Sequence, residues 1–134
     1  SAAAVVTIAA PSSTEHLAGM IRSSAAAIET AGEAEIEIGG RRFRVRREML
    51  DDLEATGIRD AVAGLNRALL VFHSPSDRTV PIRHAEEIFA AARQPKSFIS
   101  LDGASHLLTD PEDGGYVGAM AAAWARRCIG QQRR

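Results

Sequence analysis

The sequence is poor in cysteine and in aromatic residues, and it contains no long apolar run. The single cysteine, Cys128, excludes an internal disulfide framework and a multi-cysteine zinc site, and it favours a reducing, cytoplasmic compartment. No apolar run approaches the roughly 20 residues of a membrane span, and residues 1–10 lack the basic start and long apolar centre of a signal peptide. The net charge of −1 gives no overall field that would draw the chain to nucleic acid or to an anionic membrane.

The composition is that of an average globular protein. Hydrophobic residues make up 46% and charged residues 25% of the 134 residues, which argues against a disordered chain. This length is typical of one domain and is enough to bury a substantial core. The sequence therefore predicts a single unit over residues 1–134.

Apolar runs and helical patterns alternate along the chain. The predicted elements are a strand at Ala4–Ala9, a helix at Ser13–Thr30, a hairpin at Glu33–Arg46, helical segments at Arg47–Thr56 and Ile58–Asn66, a strand at Arg67–His73, a helix at Pro81–Arg93, a strand at Lys96–Leu101 and a helix at Gly115–Ile129. Outside the hairpin this order predicts an α/β fold, a parallel sheet with helices on its faces. The first two strands are expected to be buried on both faces.

The hairpin has the most regular pattern in the sequence. Acids alternate with apolar residues over Glu33–Ile38, arginines alternate with apolar residues over Arg41–Arg46, and two glycines separate the runs. With the glycines as the loop, every acid faces an arginine, and beyond the turn apolar residues face each other. We expect the apolar side chains of Ile36, Phe43 and Val45 to be packed.

Two loops that follow predicted parallel strands carry an acid and a base. Asp77 follows the strand that ends at His73, and His106 follows the strand that ends at Leu101. Ligand sites in such sheets lie beyond the carboxyl ends of the strands, and a carboxylate hydrogen-bonded to an imidazole is the base-orienting part of a nucleophile-activating triad. The alternatives are that Asp77 caps a turn and that His106 is a structural loop histidine.

The segments LLVFHSPSDRTVPIRHAEEIF and KSFISLDGASHLLTD resemble the C-terminal half of an α/β-hydrolase. Together with the hairpin segment EAEIEIGGRRFRVRREMLDDL, they resemble the hydrolase portion of bacterial proteins in which an α/β-hydrolase is joined to a C-terminal OsmC-like domain. The resemblance implies hydrolysis of an ester, thioester or similar acyl bond of a small molecule without a cofactor. It also implies that Asp77 is the triad acid and that His106 is the triad base.

The sequence departs from the family in one major respect. It has no G-x-S-x-G nucleophile elbow, and the nearest string, GASHL at 103–107, lacks the second glycine and lies in the histidine loop. We therefore expect a partial α/β-hydrolase domain that lacks the nucleophile and is inactive by itself. In related hydrolases an insertion such as the hairpin at 33–46 can act as a small cap, and packing on the sheet is the alternative.

Three other features of the sequence bear on function. The arginines of residues 41–47 form a basic patch, but the facing glutamates compensate it, which argues against nucleic-acid binding. His73, Asp77, His84 and His106 match no metal-ligand spacing, so we expect no metal site. The chain is alternatively a non-catalytic assembly module, because an open sheet would favour a homo-oligomer or association with a missing N-terminal half.

Overall fold

The structure, a computed structural model, describes residues 2–21, 25–38, 41–49 and 57–132. In chain order its elements are β1 (Ala4–Ile8), α1 (Thr14–Ile21), α2 (Ala25–Ala31), β2 (Glu33–Ile38), β3 (Arg41–Arg46), α3 (Ile58–Ala63), β4 (Ala68–His73), α4 (Arg83–Ala91), β5 (Lys96–Ser100) and α5 (Pro111–Gln132). None of the helices in these described residues is long and apolar enough to cross a membrane.

The main sheet is parallel, with the strand order β1-β4-β5. The central strand, β4, is buried along its whole length and supplies a core on each face. Leu69 and Val71 pack against α4, while Leu70 and Phe72 pack against Val117 of α5. The predicted α/β class is therefore confirmed, and β4 reads as an unbroken apolar run because both of its faces are covered.

The first strand is less buried than its sequence predicts. Val6 and Ile8 are 39% and 43% exposed. The prediction that this strand is buried on both faces is wrong, because β1 is an edge strand whose one neighbour in the described residues is β4. An apolar run alone does not distinguish a central strand from an edge strand.

The hairpin has the predicted register along its whole length. Glu33 pairs with Arg46, Ile36 pairs with Phe43 and Ile38 pairs with Arg41, with residues 39–40 outside the described residues. Ion pairs of 3.6 and 3.7 Å join the Glu33 carboxylate to Arg44 and Arg46.

The apolar face of the hairpin is only partly packed. Ile36 and Val45 are buried against Ile21 and Ile28 of the preceding helices, as predicted. The same prediction is wrong for Phe43, whose side chain is 47% exposed. The cluster is small, and it covers Ile36 and Val45 but leaves much of the Phe43 ring in solvent.

Several element bounds differ from the sequence predictions. The helix expected over 13–30 is described as α1 and α2, and the residues between them, 22–24, lie outside the described residues, as do residues 50–56 of the next predicted segment. The last helix begins at Pro111 rather than at Gly115. Asp110 Oδ1 accepts the Glu112 N–H at 2.9 Å, and a proline at the first helical position needs no N–H partner, so these two residues define the start.

Truncation of Ile36 is expected to destabilise the hairpin more than truncation of its cross-strand partner Phe43. Ile36→Ala removes a buried side chain and should lower the free energy of unfolding by about 2 kcal/mol or more. Phe43→Ala removes a half-exposed ring and should cost less. Hydrogen exchange of the hairpin amides measures both changes, and equal losses of protection would contradict the packing described here.

Candidate active site

The carboxyl ends of β4 and β5 place two loops side by side. His73, the last residue of β4, is in register with Ser100, the last residue of β5, and the Leu101 N–H donates to the His73 carbonyl at 2.9 Å. Residues 74–82 therefore leave the sheet next to residues 101–110. We call these segments the acid loop and the histidine loop.

The acid loop is folded around the side chain of Asp77. One carboxylate oxygen, Oδ1, accepts the backbone N–H groups of Thr79 at 2.8 Å and Val80 at 2.9 Å. The Asp77 N–H in turn donates to the Ser74 carbonyl at 3.2 Å. The turn-capping alternative for Asp77 is thus observed, and it uses only one of the two carboxylate oxygens.

The histidine loop begins with a tight turn that needs a glycine. Gly103 has φ +82°, and the Ala104 N–H donates to the Leu101 carbonyl at 3.1 Å across the turn. L residues rarely adopt this backbone conformation, so a side chain here would strain the turn. Ala104 then packs in the core beside Leu101, which fixes the start of the segment that carries His106.

The structure brings Asp77 and His106 together. The His106 Nδ1 lies 2.8 Å from Asp77 Oδ2, and the side chains are 21% and 0% exposed, respectively. A carboxylate only accepts hydrogen bonds, so Nδ1 carries the proton and donates it. The lone pair of the neutral ring is then on Nε2, to which no described residue is hydrogen-bonded. This tautomer is the one that a general base in a triad requires.

The environment of Asp77 favours its charged form. Burial raises the pKa of the carboxyl, whereas the Val80 N–H, the His106 imidazole and the Thr79 N–H lower it. The donors outweigh burial and hold the pKa of Asp77 below its ordinary value of 3.8. Asp77 is thus an ionised acceptor that can stabilise a positive charge on His106.

A second histidine, which the sequence did not single out for this position, braces the acid loop. His73 is fully buried, and its Nε2 lies 2.7 Å from the Val80 carbonyl, to which it donates. The same nitrogen is 3.6 Å from Asp77 Oδ2, too far for a hydrogen bond. His73 therefore holds the residue whose N–H caps Asp77. The only signal in the sequence is its position at the end of a buried strand, four residues before the acid.

The other polar residues noted in the sequence lie elsewhere. Ser12, which lies between β1 and α1, is buried, and its hydroxyl lies 2.8 Å from His84 Nδ1 and donates to Glu87 at 2.5 Å. This hydrogen bond holds the pKa of the Glu87 carboxyl below its ordinary value. Ser12 thus ties the segment after β1 to α4. It takes this role because α4 lies beside that segment, a contact that the local sequence does not encode.

The cluster of four possible metal ligands does not form. His84 contacts Ser12, whereas Asp77 and His106 contact each other. Across the described residues, no group of three or more histidine, cysteine, aspartate or glutamate side chains is arranged to hold a metal ion.

An open cleft of about 340 Å³ lies beside His106. Its walls come from both loops, with residues 76, 78 and 79 on the acid loop and residues 105–107 and 109 on the histidine loop. The candidate base therefore faces a space that can hold a small molecule, at the sheet edge where such sheets bind ligands.

Comparison with solved structures places this architecture in a known fold. No protein-family model and no curated protein sequence matches the chain. Many solved chains do match it, and those described below are α/β-hydrolases or esterase and lipase domains. The parallel sheet with its flanking helices is part of an α/β-hydrolase fold, and the antiparallel hairpin is separate from that sheet.

Three structures illustrate the likeness. The esterase domain of a Rhodothermus marinus protein is 42% identical, with a TM-score of 0.80 over 94% of this chain and 52% of its own. Mouse alpha/beta hydrolase domain-containing protein 10 is 14% identical, with a TM-score of 0.67 over 92% and 52%. The Paleococcus ferrophilus monoacylglycerol lipase is 14% identical, with a TM-score of 0.60 over 96% and 59%. The chain thus spans about half the length of the solved structures that it matches.

The lowered pKa of Asp77 predicts a specific loss of stability in acid. The ionised form is favoured in the folded protein, so Asp77 contributes stability above about pH 4 that is lost as the pH falls through the folded-state pKa. Asp77→Asn keeps the shape and removes the titration, so the variant should lose less stability than the wild type below about pH 4.

Urea unfolding at a series of pH values measures this difference. Glu29→Gln, a change at an exposed carboxylate on α2, is the control and should follow the wild-type curve. If wild type and Asp77→Asn lost stability in parallel below about pH 4, the conclusion that Asp77 is ionised and hydrogen-bonded in the folded protein would be wrong.

Proposed function

We propose that this chain supplies the general base and its orienting acid to a serine-type hydrolase of the α/β-hydrolase fold. The substrate is a small molecule with an ester, thioester or similar acyl bond, and no cofactor takes part. The observation that carries the proposal is the 2.8 Å hydrogen bond from His106 Nδ1 to buried Asp77. The esterase domain at 42% identity supports the same reaction class.

The proposed chemistry follows from the tautomer of His106. Nε2 takes the proton of a serine hydroxyl as that oxygen attacks the acyl carbon, and it later donates a proton to the departing oxygen or sulfur. Ionised Asp77 holds the ring in the required orientation and stabilises the imidazolium while it exists. The bonds from Thr79 and Val80 keep the carboxylate in place during both steps.

The serine and the oxyanion hole are proposed to come from the part of the domain that this chain does not contain. The sequence has no G-x-S-x-G elbow, and the chain spans about half of the solved hydrolases it matches. Ser105 is a poor candidate, since its hydroxyl is 3.0 Å from Thr109 Oγ1 and accepts the Thr109 N–H at 3.1 Å. We further propose, on the sequence resemblance and the single cysteine, that the protein is bacterial and cytoplasmic and that its likeness is to the hydrolase portion of α/β-hydrolase/OsmC-like fusion proteins.

Loss of the imidazole is expected to remove activity in the joined domain. The joined domain is this chain connected to the missing N-terminal part of the hydrolase. In it, His106→Ala and Asp77→Asn should each lower kcat/KM for p-nitrophenyl acetate by about 100- to 10,000-fold. Ser105→Ala, a change at the neighbouring residue of the cleft, is the control and should retain activity. The chain by itself should not hydrolyse the ester.

Two results would count against this proposal. Activity that survives His106→Ala in the joined domain would show that the base is misassigned. Turnover by the chain alone that Ser105→Ala abolishes would show that the nucleophile lies in the histidine loop.

A second candidate function, that of a non-catalytic assembly module, is favoured by the open edge of the sheet. Val6 and Ile8 alternate along β1 with their side chains 39% and 43% exposed, and no described strand pairs with the outer edge of β1. Unpaired backbone groups next to exposed apolar side chains promote pairing with another strand. The partner would be a second copy of the chain or the missing half of the domain.

Assembly through β1 would be sensitive to charge on this edge. Val6→Lys should shift the chain toward monomer in sedimentation velocity, because a charged side chain on an edge strand opposes strand pairing. Tyr116→Lys, which replaces an exposed side chain on α5, is the control and should leave the association unchanged. A wild-type chain that stays monomeric at all concentrations would contradict self-association.

A further inference from the structure

The cleft beside His106 has a cation in its wall and no acid. Of the residues that line it, Arg78 is the one with a permanent charge, and the others are hydroxyl residues, His106 and Leu107. The carboxylate of Asp77 lies behind the cleft, fully buried and hydrogen-bonded. The exposed surface that a ligand meets is therefore positively charged.

The backbone of Arg78 is fixed by the carboxylate that also holds His106. Asp77 precedes it, and Asp77 Oδ1 binds the N–H groups of the next two residues, Thr79 and Val80. Asp77 Oδ2 accepts the proton of His106 Nδ1. The Asp77 side chain thus fixes the backbone that carries Arg78 and the ring of His106, and both residues line the same cleft.

Arg78 differs in its partners from two of the hairpin arginines, Arg44 and Arg46. Arg44 and Arg46 form ion pairs with Glu33, whereas Arg78 has no ion pair or hydrogen bond through its side chain to any residue that the structure describes. A guanidinium binds carboxylate or phosphate through two parallel hydrogen bonds, more specifically than a point charge does. The donors of Arg78 are available for such a group on a ligand.

We propose that Arg78 binds an anionic group at the end of the acyl chain, so that the substrate is a half-ester or half-thioester of a short dicarboxylic acid. This inference rests on the proposed hydrolase function and names its substrate class. Leu107, 45% exposed, offers an apolar surface for the methylene groups between the two ends of such an acid. The open cleft of about 340 Å³ has room for a short acyl chain between Arg78 and His106.

The test is a binding experiment on the chain itself. Binding is monitored through the NMR signals of the His106 ring and the Leu107 methyl groups. The probes are monomethyl succinate, the uncharged dimethyl succinate and methyl phosphate. Monomethyl succinate should shift both sets of signals saturably, and dimethyl succinate should not. Arg78→Gln should raise the Kd by about tenfold or more, since it removes a charge-assisted pair.

Arg93→Gln is the matched control, because Arg93 is an exposed arginine outside the cleft and its loss changes the net charge equally. Its Kd should equal that of the wild type. The proposal is overturned if no anion binds, if dimethyl succinate binds as well as the monoester, or if Arg78→Gln binds unchanged. Tighter binding of methyl phosphate than of monomethyl succinate would overturn the acyl carboxylate as the ligand.

Binding in this experiment needs neither a serine nor turnover. Failure of the joined domain to hydrolyse esters, with Arg78-dependent binding intact, would therefore contradict the hydrolase function alone. Hydrolysis of p-nitrophenyl acetate without Arg78-dependent binding would contradict only the substrate class.

Discussion

The carboxylate of Asp77 is the group on which the rest of the site depends. Its two oxygens face different parts of the molecule, with one binding the acid loop's own backbone and the other binding the histidine loop. Neither loop has regular secondary structure. The strand register of β4 and β5 brings them within reach, and a single buried side chain then fixes both of them.

Burial and hydrogen bonding act in opposite directions on that carboxylate. Removing it from water disfavours its charge, and only the combined donation from two peptide groups and an imidazole reverses the balance. His73 supports this arrangement indirectly. It donates a hydrogen bond to the carbonyl of Val80, the residue whose N–H binds Asp77. The site is therefore a connected set of polar groups in which each buried member except His73 Nδ1 has a partner among the described residues.

The parts of the structure that follow from a local residue pattern or from a general rule of sheet topology were predictable. The hairpin register followed from charge and apolar alternation, and the proximity of Asp77 and His106 followed from the rule that parallel strands end at one edge. Predictions that depended on distant contacts were less successful. Nothing near Val6 indicates that β1 lies at an edge, and nothing near Ser12 indicates that His84, far along the chain, will be its partner.

The hairpin is closed at its base, where Glu33 pairs with Arg46 and the Arg47 N–H donates to the Gly32 carbonyl at 3.2 Å. The two ends of the hairpin, at Gly32 and Arg47, therefore lie next to each other. The entropy lost when β1 and β4 come together depends on the length of flexible chain between them, and a segment tied at its base adds little to that length. Residues between 33 and 46 can therefore vary in number and kind over evolution at little cost to the pairing of β1 with β4.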